Sequence, residues 1–279
     1  MFYTVKLKTV IIIALIICAL VPVVACAVTS AVSSDGVAVP IIMYHSVLKN
    51  QRRLGKYVVT PDELESDMKY LRDKGYTTVF IQDLIDYVYN GKTLPEKPVI
   101  LTFDDGYYNN NYYLLPLLKK YDMKAVISIV GTFADAEDET KTRNPNFSYL
   151  SWGDMDELIK TGYIEIQNHS YDMHKITSSR NGAKMRKGES LADYEAFLNS
   201  DIMKLQNLME EKLGCKATAF VYPFGAYSRE SSDIIKKMGF LATLSCTEGV
   251  NKITKDPQCL YMLKRYNRPH NKSVASFIK

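Results

Sequence analysis

Two adjacent acids, Asp104 and Asp105, follow the apolar run Pro98-Val99-Ile100-Leu101 and precede Gly106. Neighbouring side chains on a strand point to opposite faces, so such a pair at the mouth of a buried strand can divide labour. One acid can hold a metal while the other handles a proton. The same residues also suit a plain Asp-Asp-Gly turn, and the segment alone does not separate the two readings. Two of the four histidines, His169 and His174, follow the strand-like run Ile164–Gln167. On a helix that spacing would set the rings about 140° apart, poor for chelation, whereas a loop folds both inward. Two histidines and a carboxylate with open positions for water make a metal site suited to hydrolysis. A third segment, Tyr222-Pro223-Phe224-Gly225, follows the apolar run Ala217–Val221. Proline fixes the chain there and glycine permits close approach, so the Phe224 N–H can be offered to a developing oxyanion; a simple turn explains it equally.

The elements that must position these groups alternate along the chain. Strands are expected at Val39–Tyr44, Tyr76–Phe80, Val99–Phe103, Ala125–Val130, Tyr163–Gln167, Ala217–Val221, Phe240–Cys246 and Leu260–Arg265. Thr60-Pro61-Asp62-Glu63 supplies an N-cap, a proline at the first helical position and a glutamate at the third, opening a helix that Gly75 closes. Further helices are expected over Gln82–Asn90, Asn110–Tyr121, Ser151–Thr161, Leu191–Leu213 and Ser228–Met238, while 131–149 and 175–188 read as polar loops. Runs such as Val-Ile-Leu-Thr-Phe are apolar on both faces, as a parallel sheet requires. The expected fold is α/β, a distorted (β/α) barrel of seven to eight parallel strands in one domain. No glycine-rich phosphate loop opens a helix, which argues against nucleotide binding.

The 279 residues are 47% hydrophobic and 24% charged, ordinary globular material for one barrel-sized domain. Lys6 and Lys8 precede nineteen uncharged residues, Val10–Val28. This segment reads as a signal peptide or a membrane anchor (1–27), followed by a small, polar linker (28–37) and a domain over 38–279. Val23-Val24-Ala25-Cys26 resembles a lipobox, which would leave a lipidated Cys26; ordinary cleavage before Val28 fits equally. Every one of these readings places the domain outside the cytoplasm, with membrane attachment favoured over free secretion. Residues 27–279 carry 33 basic and 31 acidic side chains with no basic stripe, which gives no support to nucleic-acid binding; a monomer is expected. Cys215, Cys246 and Cys259 match no zinc-ribbon or redox spacing.

Taken in order, Thr102-Phe103-Asp104-Asp105-Gly106, His169-Ser170-x-x-x-His174 and Tyr222-Pro223-Phe224-Gly225 resemble the polysaccharide deacetylase family, carbohydrate esterase family four with its NodB-like domain. The resemblance covers about residues 38–270. It implies a divalent metal, usually zinc, and removal of N-acetyl or O-acetyl groups from glycans; the donor set also accepts cobalt, nickel or manganese. By position it makes Asp105, His169 and His174 the metal ligands, Asp104 the general base, and the Phe224 amide an oxyanion donor. Ser170 and Asn168 are placed to orient the imidazoles.

Two departures stand out. Many members carry an arginine three residues before the aromatic of the third motif, where this chain has Val221, and the usual C-terminal Leu-x-His is replaced by Leu263-Lys264-Arg265-Tyr266. A branch with Met-Tyr-His after the first strand is similar, as Met43-Tyr44-His45 is here. His45 is therefore the expected general acid and Arg265 the group that orients or screens Asp104. Tyr107, Trp152, Tyr222 and Pro223 are candidates to meet the sugar, although aromatic residues at helical spacing more often belong to a core. The expected activity is removal of N-acetyl groups from an extracytoplasmic N-acetylglucosamine-containing polysaccharide, either peptidoglycan or an exopolysaccharide. The alternatives are an O-acetyl esterase on xylan or another glycan, and an inactive glycan-binding protein.

Overall fold

The computed structural model describes residues 36–278, so the anchor, the lipobox and most of the linker lie outside the described residues. In chain order the strands are β1 (Val37–Val39), β2 (Ile41–Tyr44), β3 (Ser46–Val47), β4 (Val58–Val59), β5 (Thr77–Thr78), β6 (Pro98–Asp105), β7 (Ala125–Ile129), β8 (Ile164–Asn168), β9 (Ala219–Val221), β10 (Ala242–Leu244), β11 (Asn251–Ile253) and β12 (Tyr266–Asn267). The helices are α1 (Pro61–Asp73), α2 (Ile81–Tyr89), α3 (Leu115–Tyr121, entered through a π-turn at Asn110–Leu114), α4 (Gly131–Thr140), α5 (Trp152–Lys160), α6 (Leu191–Leu213) and α7 (Ser231–Lys237).

One parallel sheet runs β10-β9-β8-β7-β6-β2-β12, with β5 beside the start of β6. Alternation along each strand sorts its side chains onto two faces. Ile42, Leu101, Ile127 and Phe220 pack with α1, α3, α5, α6 and α7. Their neighbours Ile41, Ile100, Val126, Ala219 and Val221 pack with Ile81, Leu84, Ile85 and Val88 of α2. So α2 fills the N-terminal half of the inner face, and the Glu165 carboxylate on β8 accepts the N–H groups of Ile81 (3.2 Å) and Gln82 (3.1 Å) at the start of that helix. Above this plug the inner positions turn polar, through Thr102, Asp104, Ser128 and Gln167, all buried.

The last expected strand is displaced. Pro257–Leu260 forms a 3-10 turn, and pairing resumes as a single bridge at Leu263 followed by β12 at Tyr266–Asn267. Leu263 bridges to Leu244 on one edge of the sheet, and Tyr266 and Asn267 pair with Ile42 and Met43 on the other. This segment therefore links the two edges and closes the barrel. Two further differences concern elements the sequence reading did not separate. The first half of 131–149 is helix α4 rather than loop, and β11 adds an antiparallel partner to β1. Among the described residues no helix is long and apolar enough to cross a membrane, and the three cysteines are free thiols.

Candidate active site

A cleft of about 430 Å³ opens at the C-terminal ends of the inner strands, with Asp104, Asp105, His45, His169, His174 and Phe224 in its lining. Both acids reach it although they are adjacent on one strand. The reason is the backbone of Asp105, whose φ of 74° puts it in the left-handed region and breaks the alternation that would send its side chain to the far face. Gly106 continues the turn at φ 69°.

Asp105 Oδ1 lies 3.1 Å from His174 Nε2 and 3.6 Å from His169 Nε2. One donor atom from each of the three residues falls within 4.8 Å of the others. That carboxylate oxygen is buried and has no aligned hydrogen-bond partner, an orphan that a cation would satisfy. His169 Nδ1 lies 2.8 Å from the Val221 carbonyl, so Nδ1 carries the proton and Nε2 faces Asp105 with its lone pair. Burial pushes the His169 pKa down to about 4, outweighing Asp104 and Asp105, so the ring is neutral, as a metal ligand must be. The donor set fits a divalent cation.

Asp104 is served by Arg265, which lies on the barrel-closing segment and is 0% exposed. Its Nη1 donates to Asp104 Oδ1 at 2.8 Å and to Thr102 Oγ1 at 3.3 Å, while Nε donates to the Ser245 carbonyl at 2.9 Å. Burial pushes the Asp104 carboxyl up, but the Arg265 guanidinium outweighs it and holds the group well below the usual carboxylate range. His45 is half-buried, its ring is 4.6 Å from that of Tyr57, and its Nδ1 has no hydrogen-bond partner. Burial lowers its pKa, with Asp104 and Asp105 opposing.

Phe224 sits at φ 59° in the turn Pro223–Gly225. The N–H groups of Gly225 and Ala226 close that turn onto Tyr222 and Pro223, leaving the Phe224 N–H outside these bonds. Gly225 is required: a Cβ there would meet Cys246 Cβ at 2.7 Å.

Several expected site residues sit elsewhere. Trp152 is 4% exposed with its Nε1 donating to Asp135 at 2.9 Å, so it is a core residue rather than a sugar platform. Tyr222 and Pro223 are also buried, with the Tyr222 hydroxyl facing Ser231. Tyr107 does line the cleft, stacked on Tyr149 at 5.0 Å. The Ser170 hydroxyl is buried without a partner and orients no imidazole. Asn168 acts on the loop instead, accepting the Ser170 N–H at 2.9 Å and donating to the Ile202 carbonyl at 3.1 Å. The group that aims His169 is the Val221 carbonyl, which the sequence reading had no means to single out. Lys56, Tyr57, Cys246, Glu248 and Asn267 also line the cleft, and no motif marks them in the sequence. A larger hollow of about 540 Å³ lies at the opposite ends of the strands, beside Thr77, Lys124 and Tyr163, and gathers no comparable set of groups.

The polysaccharide deacetylase family profile matches residues 91–243, more than half of the chain. This chain belongs to the polysaccharide deacetylase family. Among its relatives, the poly-beta-1,6-N-acetyl-D-glucosamine N-deacetylase of Escherichia coli K12 is 26% identical over 200 residues, 65% of this chain. That match spans only 30% of the Escherichia coli protein. The putative polysaccharide deacetylase YxkH of Bacillus subtilis is 28% identical over 242 residues, covering 85% of this chain and 74% of the relative. Among solved structures, a de-N-acetylase from Aggregatibacter actinomycetemcomitans superposes with a TM-score of 0.73 at 24% identity, over 86% of this chain and 98% of that one. At that identity the likeness speaks for the barrel fold of the family, curled sheet and helices together.

Proposed function

We propose that this chain is a metal-dependent hydrolase that removes N-acetyl groups from an N-acetylglucosamine-containing polysaccharide outside the cytoplasm. The observation that carries the reading is the meeting, in one cleft, of Asp105, His169 and His174 with the buried Asp104–Arg265 pair. The named N-deacetylase relatives support the N-acetyl choice, and the uncharged Val10–Val28 segment supports a site of action beyond the membrane.

Asp105, His169 and His174 would hold the cation, zinc in the first instance. A cation there supplies Lewis acidity, polarising a carbonyl and making water more acidic. Asp104, kept ionised by Arg265, accepts the proton of the water that attacks the acetyl carbon. The Phe224 N–H donates to the oxygen that gains charge as the new C–O bond forms. His45 delivers a proton to the amide nitrogen as the C–N bond breaks, so that acetate and a free amine leave.

The test is acetate release from a panel of N- and O-acetylated glycans, with metal content measured on the same preparations. N-acetyl glycans should be turned over, Asp105→Ala should lose the metal, and Asp104→Asn should keep the metal and lose turnover. Faster release from O-acetyl esters would replace the proposal with the esterase. A protein that takes up no zinc, cobalt or nickel and releases no acetate would be a glycan binder.

A further inference from the structure

The segment between His45 and Asp62 contains Lys49, Arg52, Arg53 and Lys56 and no carboxylate. It forms the connection from β3 to β4, which starts directly after His45, and Lys56 and Tyr57 belong to the wall of the cleft. The connection is built rather than loose. Asn50 caps the 3-10 turn Gln51–Arg53, the Gly55 carbonyl accepts the His270 N–H at 2.9 Å, and the Lys56 carbonyl accepts Asn267 Nδ2 at 3.1 Å. The Arg53 guanidinium donates to the Asn146 carbonyl, tying the connection to the loop that carries Tyr149.

All four cations are exposed, and none has a carboxylate partner among the described residues. In the second basic loop three of the five cations are paired, Lys175 with Asp172 and Arg180 and Arg186 both with Glu189, while Lys184 and Lys187 have no ion pair among the described residues. Lys49 and Lys56 instead lean on tyrosine rings, 5.7 Å from Tyr113 and 5.1 Å from Tyr57. Lys56 reaches the cleft wall, which it shares with Glu248, while Lys49, Arg52 and Arg53 stand on the same fixed frame outside the wall, and unpaired charges so placed raise the local concentration of negative ligands. N-acetylglucosamine itself is uncharged and gives such a patch nothing to bind.

We infer that the Leu48–Tyr57 connection is a subsite for an anionic substituent on the polysaccharide, a carboxylate or a phosphate carried near the acetamido group that is cleaved. This rests on the deacetylase reading above and narrows its substrate to negatively charged glycans. It also gives the polymer a polarity: each ammonium left by a completed cleavage is repelled by the patch, so the unreacted, anionic stretch is the one held there.

The probes are N-acetylglucosamine oligomers of one linkage in unmodified, carboxymethylated and phosphorylated forms, turned over by the zinc-loaded full chain. At about 50 mM salt the anionic forms should show the higher kcat/KM, and the advantage should shrink toward about 500 mM as screening sets in. K49Q/R52Q/R53Q should cut the anionic-to-neutral ratio of kcat/KM about tenfold, at two- to threefold per rim charge, through KM rather than kcat. The single variant R52E, which breaks no side-chain hydrogen bond or ion pair, should move the ratio the same way. Comparing the carboxymethylated with the phosphorylated oligomer then identifies the anion. A ratio that is insensitive to both salt and the variants overturns the inference while leaving the deacetylase reading intact; no acetate from any of the three oligomers overturns both. Variant-sensitive binding to anionic lipid vesicles with an unmoved ratio would assign the patch to a membrane surface and overturn the glycan subsite.

Discussion

Replacing Arg265 by methionine removes a charge from a place where its partner cannot reach water. The two side chains meet at 2.8 Å and are 0% and 3% exposed. With charge centres about 4 Å apart, the attraction is about 4 kcal/mol at an effective dielectric of 20. Burying the pair offsets much of that, so its net contribution to stability is small. Removing only the arginine is different, because Asp104 keeps its desolvation and loses its compensation, and Thr102 Oγ1 and the Ser245 carbonyl lose a donor as well. The expected cost is about 3–5 kcal/mol, or about 6–20 °C in Tm for a domain of this size. The assay is thermal or urea unfolding of wild type, R265M, D104N and the double variant. The double variant should be more stable than R265M alone, because the stranded charge has gone with its partner. Without the guanidinium, burial is left to push the Asp104 carboxyl upward, so residual activity in R265M should have its acid limb at higher pH. If R265M unfolds with wild type, or if the two single losses simply add, the ion pair does not hold Asp104 as argued.

The remaining expectations concern other parts of the molecule. Partial burial pushes the Glu63 carboxyl up, but hydrogen bonds from His270, Thr60 and Asn271 and the charge of Arg268 hold it at about 2. Its contribution to stability is therefore present above the unfolded value of about 4.3 and lost as pH falls toward 2, so the Tm gap between wild type and E63Q should narrow from pH 6 to pH 3. G225A puts a methyl group where Cys246 stands and forces alanine to φ 65°, so it should cost about 1–3 kcal/mol and lower kcat while leaving metal content intact, checked by unfolding and elemental analysis. W152F removes the donor to Asp135 and should cost about 1–2 kcal/mol with KM for glycans unchanged; a raised KM would return Trp152 to the substrate.

How legible the site was depended on which atoms do the work. Residue type and spacing pointed to His169, His174 and a carboxylate as a metal-binding set, and the family resemblance singled out Asp105 as that carboxylate; the structure brings these three together. Arg265 was readable only as a substitute for an absent arginine, since its partner is 161 residues away. The Val221 carbonyl was beyond reach because every residue carries one. The left-handed Asp105 was equally hidden, since aspartate tolerates positive φ more than most residues but does not require it. Helix α4 escaped for a different reason. Its buried positions are Gly131, Ala134 and Glu137, so the inward stripe holds no large apolar side chain, and Glu137 is spent accepting the N–H groups of Thr142 and Arg143. The expected strand Leu260–Arg265 failed by a few residues because Pro257 starts a 3-10 turn that runs to Leu260.

The segment that closes the barrel is also the one that brings Arg265 to Asp104, and this sets an order of events during synthesis. A ribosome that has delivered both acids and both histidines has not yet delivered residue 265. Until that stretch emerges, nothing joins β10 to β2 and Asp104 lacks its guanidinium partner. Completion of the barrel and delivery of the Asp104 partner are then a single late step, and a nascent chain stalled before it would carry Asp105, His169 and His174 without the Asp104–Arg265 pair.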